Sequence, residues 1–321
     1  MERDARLDSP EEVAAGRGAD RDAAVWLQGV VKRYGSVTAV DGLDLDIAPG
    51  TCLGLLGPNG AGKSTTMRLL TAQSRADAGE IRVLGHDVPG DSKRARARMG
   101  VVPQLDNLDV ELTTRQNLMV YAVLYRVPVR DRRAAVDRAL GVAQLEDRAG
   151  SKVSELSGGM RRRLLIARGL VHSPELVLLD EPTVGLDPQV RQELWALVAA
   201  LRTRGVTVLM STHYIEEAQR LADDVAIMAH GQVIARGSPQ ALLSRYAGEV
   251  AAEYYGEPAR LREIEAVAHD AGLSTRRTGP SVSLLRAEGI PASVADRLGE
   301  GVPRAANLED VFVLLTGERL E

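Results

Sequence analysis

The chain has 321 residues, of which 45% are hydrophobic and 26% are charged, and its formal net charge is −4. This length is enough for about two domains, and a slightly acidic chain provides no global basic field for binding nucleic acid. Its single cysteine, Cys52, excludes a disulfide within the sequence and fits a reducing compartment.

The N-terminal residues have the composition of a tail rather than of a signal or an anchor. Residues 1–24 mix acidic, basic and small residues without apolar periodicity, which predicts a disordered tail. No apolar run in the sequence approaches the roughly 18–20 residues that span a bilayer, and no secretory signal core is visible. We therefore expect a soluble, cytoplasmic protein, to which a partner must supply the membrane segments of any membrane process.

Strand-like and helix-like segments alternate along most of the sequence. Apolar residues alternate at 25–33 and 43–47, and a short apolar strand at 53–56 runs into a glycine-rich loop. Further apolar strands lie at 176–179, 206–210 and 225–228, and helical segments at 63–73, 114–125, 130–142, 158–172 and 188–203. This alternation predicts an α/β fold with a mainly parallel sheet.

The last part of the sequence has a different pattern. Strand-like segments lie at 250–255 and 282–285, and helical segments at 258–271, 291–299 and 307–316. We predict a small α+β appendage over residues 249–321, which leaves residues 25–248 for the main domain.

A phosphate-binding loop is predicted between the strand at 53–56 and the helix that begins at Lys63. Its residues are Gly57, Pro58, Asn59, Gly60, Ala61, Gly62, Lys63 and Ser64, followed by Thr65. Glycines let backbone N–H groups turn towards an anion, and the start of a helix favours phosphate. Lys63 would then lie near the β- and γ-phosphates of a bound nucleotide, and the Ser64 hydroxyl would bind Mg²⁺. The alternative is a glycine-rich turn that binds nothing.

An acidic pair follows the apolar strand at 176–179. Because ligands of open α/β sheets bind at the carboxyl ends of the strands, Asp180 and Glu181 would lie beside the phosphate loop. Asp180 would hold Mg²⁺, and Glu181 would orient or deprotonate the attacking water. The alternative is an acidic pair that caps the turn before Pro182.

A third loop contains two glycines and precedes the helix at 158–172. Its residues are Leu156, Ser157, Gly158, Gly159 and Met160. Its hydroxyl, its N–H groups and the helix start can contact an anion, although a helix N-cap with a glycine hinge is the alternative. The loop closely resembles the signature of the ATP-binding-cassette (ABC) family, except that Met160 stands where glutamine is usual.

Other residues resemble further positions of the ABC pattern, in the same order along the chain. The resemblance implies that Tyr34 stacks on adenine, that Gln104 senses Mg²⁺ and water, and that His213 contacts the γ-phosphate. It also implies that Asp187, within residues 185–188, crosses a dimer interface. Taken alone, a tyrosine, a glutamine or a histidine in these places would be interpreted as structural. The resemblance covers about residues 25–245.

For the fold and mechanism, the resemblance implies a P-loop NTPase core of the ABC type with an inserted helical subdomain near residues 105–170. It implies ATP and Mg²⁺ as cofactors and a head-to-tail homodimer, in which each ATP lies between the phosphate loop of one subunit and the Ser157 loop of the other. The catalytic residues would be Glu181, His213, Lys63 and Gln104, and the Mg²⁺ ligands would be Ser64, Gln104 and Asp180. The nucleotide would contact Tyr34, Gly57, Pro58, Asn59, Gly60, Ala61, Gly62, Lys63, Ser64, Thr65, Ser157, Gly158, Gly159 and Asp187.

A finer resemblance connects residues 156–164, 180–188 and 211–213 with drug-resistance and nodulation-factor export ATPases. It implies ATP-driven export of a drug-like, lipid or glycolipid substrate through a separate membrane subunit, without a nucleic-acid partner. The chain would then be a cytoplasmic protein, peripheral on the inner face of the cell membrane. The alternatives are a soluble ABC ATPase that acts on ribosomes or DNA, and an importer subunit.

Three basic clusters lie outside these motifs, at residues 93–98, 130–133 and 161–163. We interpret them as solvated helix faces. The alternative is a face towards anionic lipid headgroups or a membrane subunit.

Overall fold

A computed structural model describes residues 22–317 of the chain. Of the predicted N-terminal tail, residues 1–21 lie outside the described residues, whereas Ala23 and Ala24 are buried. The Ala24 N–H donates a hydrogen bond to the Ile47 carbonyl (2.8 Å), and the Ala24 carbonyl accepts one from the Leu84 N–H (2.8 Å). Ala24 is therefore part of the fold.

The main domain contains strands and helices in mixed order. The strands are β1 (Val25–Tyr34), β2 (Val37–Ile47), β3 (Cys52–Leu56), β4 (Ala78–Val83), β5 (His86–Asp87), β6 (Met99–Val102), β7 (Leu176–Asp180), β8 (Thr207–Thr212), β9 (Asp224–Ala229) and β10 (Gln232–Gly237). The helices are α1 (Lys63–Leu70), α2 (Ser92–Ala97), α3 (Thr114–Leu124), α4 (Arg132–Ala143), α5 (Gly158–Leu170), α6 (Pro188–Thr203), α7 (Ile215–Leu221) and α8 (Pro239–Leu242).

A six-stranded sheet forms the centre of the domain, with the order β10-β9-β3-β8-β7-β6. All neighbouring pairs from β9 to β6 are parallel, and only β10 pairs antiparallel with β9. A second, antiparallel sheet has the order β2-β1-β4-β5. The predicted α/β fold with a mainly parallel sheet is confirmed.

The apolar runs of the parallel strands are explained by burial on both faces. In β7, Val177 and Leu179 pack in a core with the helices α3 to α6. Leu176 and Leu178 point the other way and pack with residues of the antiparallel sheet. Because successive side chains of a strand alternate between faces, a strand covered on both sides needs a continuous apolar sequence.

Helices α3, α4 and α5 pack on one another and form a helical region between β6 and β7. Their contact faces are apolar and fully buried, for example at Leu118, Val136 and Leu164. The Thr113 side chain caps α3 in a capping box with Gln116. No helix within residues 22–317 combines the length and the apolar character needed to cross a membrane.

The C-terminal appendage is an α+β unit, as predicted, of which residues 318–321 lie outside the described residues. Its elements are β11 (Val250–Tyr255), α9 (Pro258–Asp270), β12 (Thr275–Thr278), β13 (Ser281–Leu284), α10 (Ala292–Leu298), β14 (Val302–Ala305) and α11 (Leu308–Thr316). The four strands form an antiparallel sheet with the order β12-β13-β11-β14. Tyr254, Leu261 and Val282 contribute to a core of its own.

Helix α11 belongs to two units at once. Its residue Phe312 is fully buried in a cluster that contains Leu56 of β3, Ala218 of α7 and Ile227 of β9. A domain boundary at residue 248 divides this cluster, because α11 lies beyond that point in the chain but packs on the main domain.

Replacing Phe312 with alanine tests how far this shared core stabilises the main domain. We expect F312A to lower the free energy of unfolding by about 3–5 kcal/mol, because truncation of a buried phenylalanine leaves a cavity. Urea denaturation followed by tryptophan fluorescence measures the main domain, since Trp26 and Trp195 are the only tryptophans. V313A, at a partly exposed neighbour, is the control and should cost much less. An unchanged tryptophan transition in F312A would show that the main domain does not depend on α11.

Candidate active site

The three central strands β3, β8 and β7 bring the predicted site residues to one edge of the sheet. In the parallel register, Leu55 of β3 and Asp180 of β7 both pair with Ser211 of β8. The loops after these strands therefore leave the sheet side by side. Lys63 follows β3, and Glu181 and His213 follow β7 and β8 directly.

The phosphate loop has glycines where a side chain would collide with the backbone. A Cβ atom at Gly57 would lie 2.3 Å from the Met228 carbonyl oxygen, and one at Gly62 would lie 2.4 Å from the Ala39 carbonyl oxygen. Gly62 also has a φ of 106°, in the region that favours glycine, and it provides no side-chain cap to α1. The first N–H groups of α1 are therefore not satisfied by a cap, which leaves them to contact an anion.

Lys63 is buried, with 5% of its surface exposed. Its Nζ donates hydrogen bonds to the carbonyls of Gly57 (2.6 Å) and Pro58 (3.0 Å) and lies 3.5 Å from Glu181 Oε1. Burial lowers the pKa of Lys63, and the charge of Glu181 opposes that shift. The ammonium is thus held over the phosphate loop by the loop itself and by the acid after β7.

Ser64 and Asp180 form the part of the site that fits a magnesium ion. Ser64 Oγ donates to Asp180 Oδ1 (3.2 Å), and Ser211 Oγ donates to the same oxygen (2.6 Å). No group of three or more His, Cys, Asp or Glu side chains within residues 22–317 is arranged to hold a metal ion. Mg²⁺ at phosphate sites usually takes only one or two protein groups together with phosphate oxygens and water, and one hydroxyl beside one carboxylate fits that pattern.

Glu181 stands between Lys63 and His213. It is 6% exposed and has a φ of 46°, which is unusual for a residue other than glycine. Its N–H donates to both the carbonyl oxygen and the Oγ of Ser211 (3.1 Å each). Its Oε2 lies 3.1 Å from His213 Nδ1, although these atoms lack the alignment of a hydrogen bond. The structure therefore brings a carboxylate, an ammonium and an imidazole together.

Two predicted residues lie further out. Gln104 is exposed in the loop after β6. Tyr34, at the end of β1, is 44% exposed, and its hydroxyl is hydrogen-bonded with Ser74 Oγ (3.2 Å). Within residues 22–317, no hydrogen bond or ion pair connects either side chain with Lys63 or Glu181. The Lys32 Nζ lies over the Tyr34 ring, 5.2 Å from its centroid.

Ser157, Gly158 and Asp187 lie on the exposed surface. Ser157 is the N-cap of α5, with its Oγ accepting from the Met160 N–H (3.3 Å), and Asp187 is the N-cap residue of α6 without a capping bond. Gly159 is required by packing, since a Cβ atom there would lie 2.7 Å from Val190 Cγ1. Within the described part of the chain, Ser157 and Asp187 form no hydrogen bond or ion pair with the Lys63–Glu181–His213 group.

The sequence analysis missed two residues that hold the site together. Ser211 contacts both Asp180 and Glu181. The sequence feature that could have indicated it is a hydroxyl residue near the end of an apolar strand. Arg162 was interpreted as part of a solvated basic face, and this is wrong because it is only 8% exposed. Its helical spacing to Leu165 and Ile166, which are both buried, was the signal.

Comparisons with known sequences show the family to which this chain belongs. The sequence model described as ABC transporter matches residues 40–184. Nod factor export ATP-binding protein I of Paraburkholderia xenovorans is 43% identical over 304 residues, which are 94% of this chain and 99% of the relative. The protein of the same name from Rhizobium meliloti is 41% identical over 308 residues, which are 95% of this chain and 91% of the relative.

Solved structures give the same result for the fold. CbiO1 from Clostridium perfringens, described as part of the ABC transporter complex cbiONQ, has a TM-score of 0.65 and 28% identity over 70% of this chain and 91% of its own. The ATP-binding cassette MJ0796, solved as a dimer bound to ADP and Pi, has a TM-score of 0.60 and 28% identity over 67% of this chain and 98% of its own. The chain therefore belongs to the ABC transporter family, as one of its ATP-binding and ATP-hydrolysing cassettes.

Proposed function

We propose that this cassette drives export of a drug-like, lipid or glycolipid substrate through a separate membrane subunit, working as a homodimer at the inner face of the cell membrane. The observation that carries the ATPase part is the group formed by Lys63, Glu181 and His213 beside the Ser64–Asp180 pair. The similarity to Nod factor export proteins over more than nine-tenths of the chain supports export rather than import or action on ribosomes or DNA.

In the proposed binding mode, the triphosphate of ATP lies on the phosphate loop. Backbone N–H groups within residues 59–65, which include the start of α1, bind its oxygens, and Lys63 exchanges carbonyl partners for phosphate charge. Tyr34 provides an exposed ring for the adenine. Mg²⁺, held by Ser64 and Asp180 with assistance from Gln104, would neutralise charge on the phosphates.

Glu181 is the proposed general base. Its carboxylate is fixed between Lys63 and His213, so it can orient a water molecule at the γ-phosphate and accept its proton. His213 is placed to contact the γ-phosphate from the end of β8. The burial of Glu181 keeps bulk water from competing for the carboxylate.

The exposed Ser157, Gly158 and Asp187 and the partly buried Gly159 are proposed to act in a second subunit. Within the described residues, no hydrogen bond connects the Ser157 loop with Lys63, Glu181 or His213. The Ser157 hydroxyl and the start of α5 are therefore available to contact the phosphates of an ATP that is bound by another subunit. In a head-to-tail homodimer, the same loop can complete the partner's site. Each ATP would then be bound by both subunits.

The role of Glu181 is tested by replacing it with glutamine. E181Q keeps the shape but loses the carboxylate, so we expect kcat for ATP hydrolysis to fall by about 10²-fold or more while ATP binding persists. Steady-state phosphate release and binding of a fluorescent ATP analogue measure the two properties. E216Q, at an exposed acid of α7, is the matched control. Wild-type turnover in E181Q would refute the assigned role.

The composite dimer is tested by mixing two inactive variants. K63A removes the charge that holds the phosphates. S157R places a large, charged side chain in the loop that is proposed to contact the ATP of the other subunit. Each homodimer has two damaged sites and should be nearly inactive. In a mixed dimer, one site carries both defects, while the other combines an intact Lys63 with an intact Ser157. ATPase activity should therefore return on mixing.

The controls for this experiment are tags and folding. Differently tagged chains show that mixed dimers form, and the unfolding midpoint of each variant shows that it is folded. With both conditions met, the absence of any recovered activity would contradict a site built from two subunits. A site within one chain predicts that result, because every subunit in the mixture carries a defect.

The membrane partner is tested by purification from membranes. We expect a tagged chain to sediment with membranes, to be released by an alkaline wash, and to co-purify in mild detergent with a membrane protein of several spanning helices. A chain found instead with ribosomes or DNA would contradict the proposed transport function, and dependence of transport on a solute-binding protein would indicate import.

A further inference from the structure

Arg162 lies on the inner face of α5, one and a half turns from the Ser157 loop. Its neighbours Arg161 and Arg163 are both partly exposed, whereas Arg162 is buried. No ion pair of residues 22–317 includes Arg162, so this buried guanidinium has no carboxylate partner in direct contact. A buried arginine without such a partner requires another source of compensation.

The guanidinium uses its full set of five N–H donors on backbone carbonyl oxygens. Its acceptors are the carbonyls of Pro182 (2.6 Å from Nε), Pro103 (2.8 Å from Nη1), Gln104 (3.1 Å from Nη1), Glu181 (3.0 Å from Nη2) and Asp180 (3.3 Å from Nη2). Two of these belong to the loop after β6, two belong to the loop after β7, and Asp180 is the last residue of β7 itself. One side chain of α5 therefore joins both loops that carry the predicted hydrolytic residues.

The contact with Glu181 completes a clamp on a strained residue. Ser211 accepts from the Glu181 N–H on one side, and Arg162 donates to the Glu181 carbonyl on the other. A residue other than glycine at a φ of 46° persists only when its surroundings fix it. The direction of the Glu181 side chain depends on this backbone conformation, so the hydrogen bonds with Ser211 and Arg162 fix the direction of the carboxylate.

The electrostatic setting agrees with a role in orientation rather than in charge pairing. Burial lowers the pKa of Arg162, and the charges of Asp180, Glu217 and Asp106 oppose that shift from a distance. The carbonyl dipoles provide the close compensation. Lysine would carry the same charge but only three donors and no planar fork, so it cannot reproduce the five contacts.

We propose that Arg162 is a positioning residue for ATP hydrolysis, which ties the loops of Gln104 and Glu181 to α5 so that the Glu181 carboxylate meets the attacking water. This inference rests on the proposed function of Glu181. All the hydrogen bonds of the Arg162 side chain go to backbone carbonyls, so it would act through the backbone that it holds. It also connects the Ser157 loop, at the start of the same helix, with the hydrolytic residues of its own subunit.

The test compares R162K with R163K in the full-length chain. Arg163 is the matched control, because it lies on the same helix but contacts Gln144 and Glu193 outside the site. We expect R162K to lower kcat by about 10- to 100-fold, since a misplacement of 1 Å in a catalytic group can cost about 10²-fold. The KM for ATP and the affinity for a fluorescent ATP analogue should change by less than about threefold, because the phosphate loop is untouched. R163K should match the wild type.

R162Q provides a second variant, which removes the charge but keeps an amide donor. It should likewise lower kcat while the KM for ATP and the affinity for the ATP analogue stay nearly unchanged. A loss of nucleotide binding or a large fall in the unfolding midpoint in both Arg162 variants would overturn the proposal in favour of a structural role. A kcat equal to that of R163K would overturn it as well. Normal turnover in E181Q would instead overturn the proposed function, so the two failures are distinguishable.

Discussion

The parallel register of β3, β8 and β7 is the constraint on which the site depends. Lys63 and Glu181 follow strands that are not neighbours, and β8 lies between them. Ser211, at the end of β8, is in register with both outer strands and contacts the acid pair through its hydroxyl. A shift of one residue in any of these strands would turn its side chains to the opposite face, and the buried charges would lose their partners. Because the apolar runs of these strands are buried on both faces, they do not select the register, and the polar contacts of Ser211 with Asp180 and Glu181 favour the observed one.

The appendage is connected to the same strands through packing. Phe312 and Val311 of α11 share a core with Leu56, the last residue before the phosphate loop, and with Ala218 of α7, the helix after His213. The start of α11 is held by the buried Asp310, which accepts from Arg276 and Arg304 (2.8 and 2.7 Å). A carboxylate buried with two guanidinium groups fixes the position of its helix strongly, because loss of either partner leaves a buried charge. The appendage is therefore connected through α11 to the core that contains Leu56 and Ala218.

The sequence predicts the centre of this fold better than its edges. The strands β3, β7, β8 and β9 are visible because burial on both faces leaves continuous apolar runs. By contrast, β4 contains Gly79 and Glu80, and β5 has only two residues, so neither has an apolar signature.

Loop motifs predict Lys63, Asp180 and Glu181 because their chemistry is local. Arg162 and Ser211 act through tertiary contacts with loops up to 59 residues away in sequence, and the position of Arg162 between two other arginines masks the helical spacing to Leu165 and Ile166 that indicates its burial. The shared core of α11 was missed for the same reason, since no local pattern indicates which unit an apolar helix face contacts.

The direction of α5 fits the proposed site of two halves. Its N-terminus is exposed, as the proposed contact of Ser157 with the partner's ATP requires, while its second turn is buried, so that Arg162 reaches the loops of Gln104 and Glu181. A single rigid helix satisfies both conditions because residues five positions apart lie about 7.5 Å apart along its axis and on different faces. Ser157 and Arg162 lie on one continuous helix, which has Ser157 as its N-cap residue and ends at Leu170. The carbonyl contacts of Arg162 connect that helix with the backbone of Glu181, whose left-handed conformation tolerates little change. In the proposed homodimer, these contacts would connect the Ser157 loop, which completes the partner's site, with Glu181 of its own subunit.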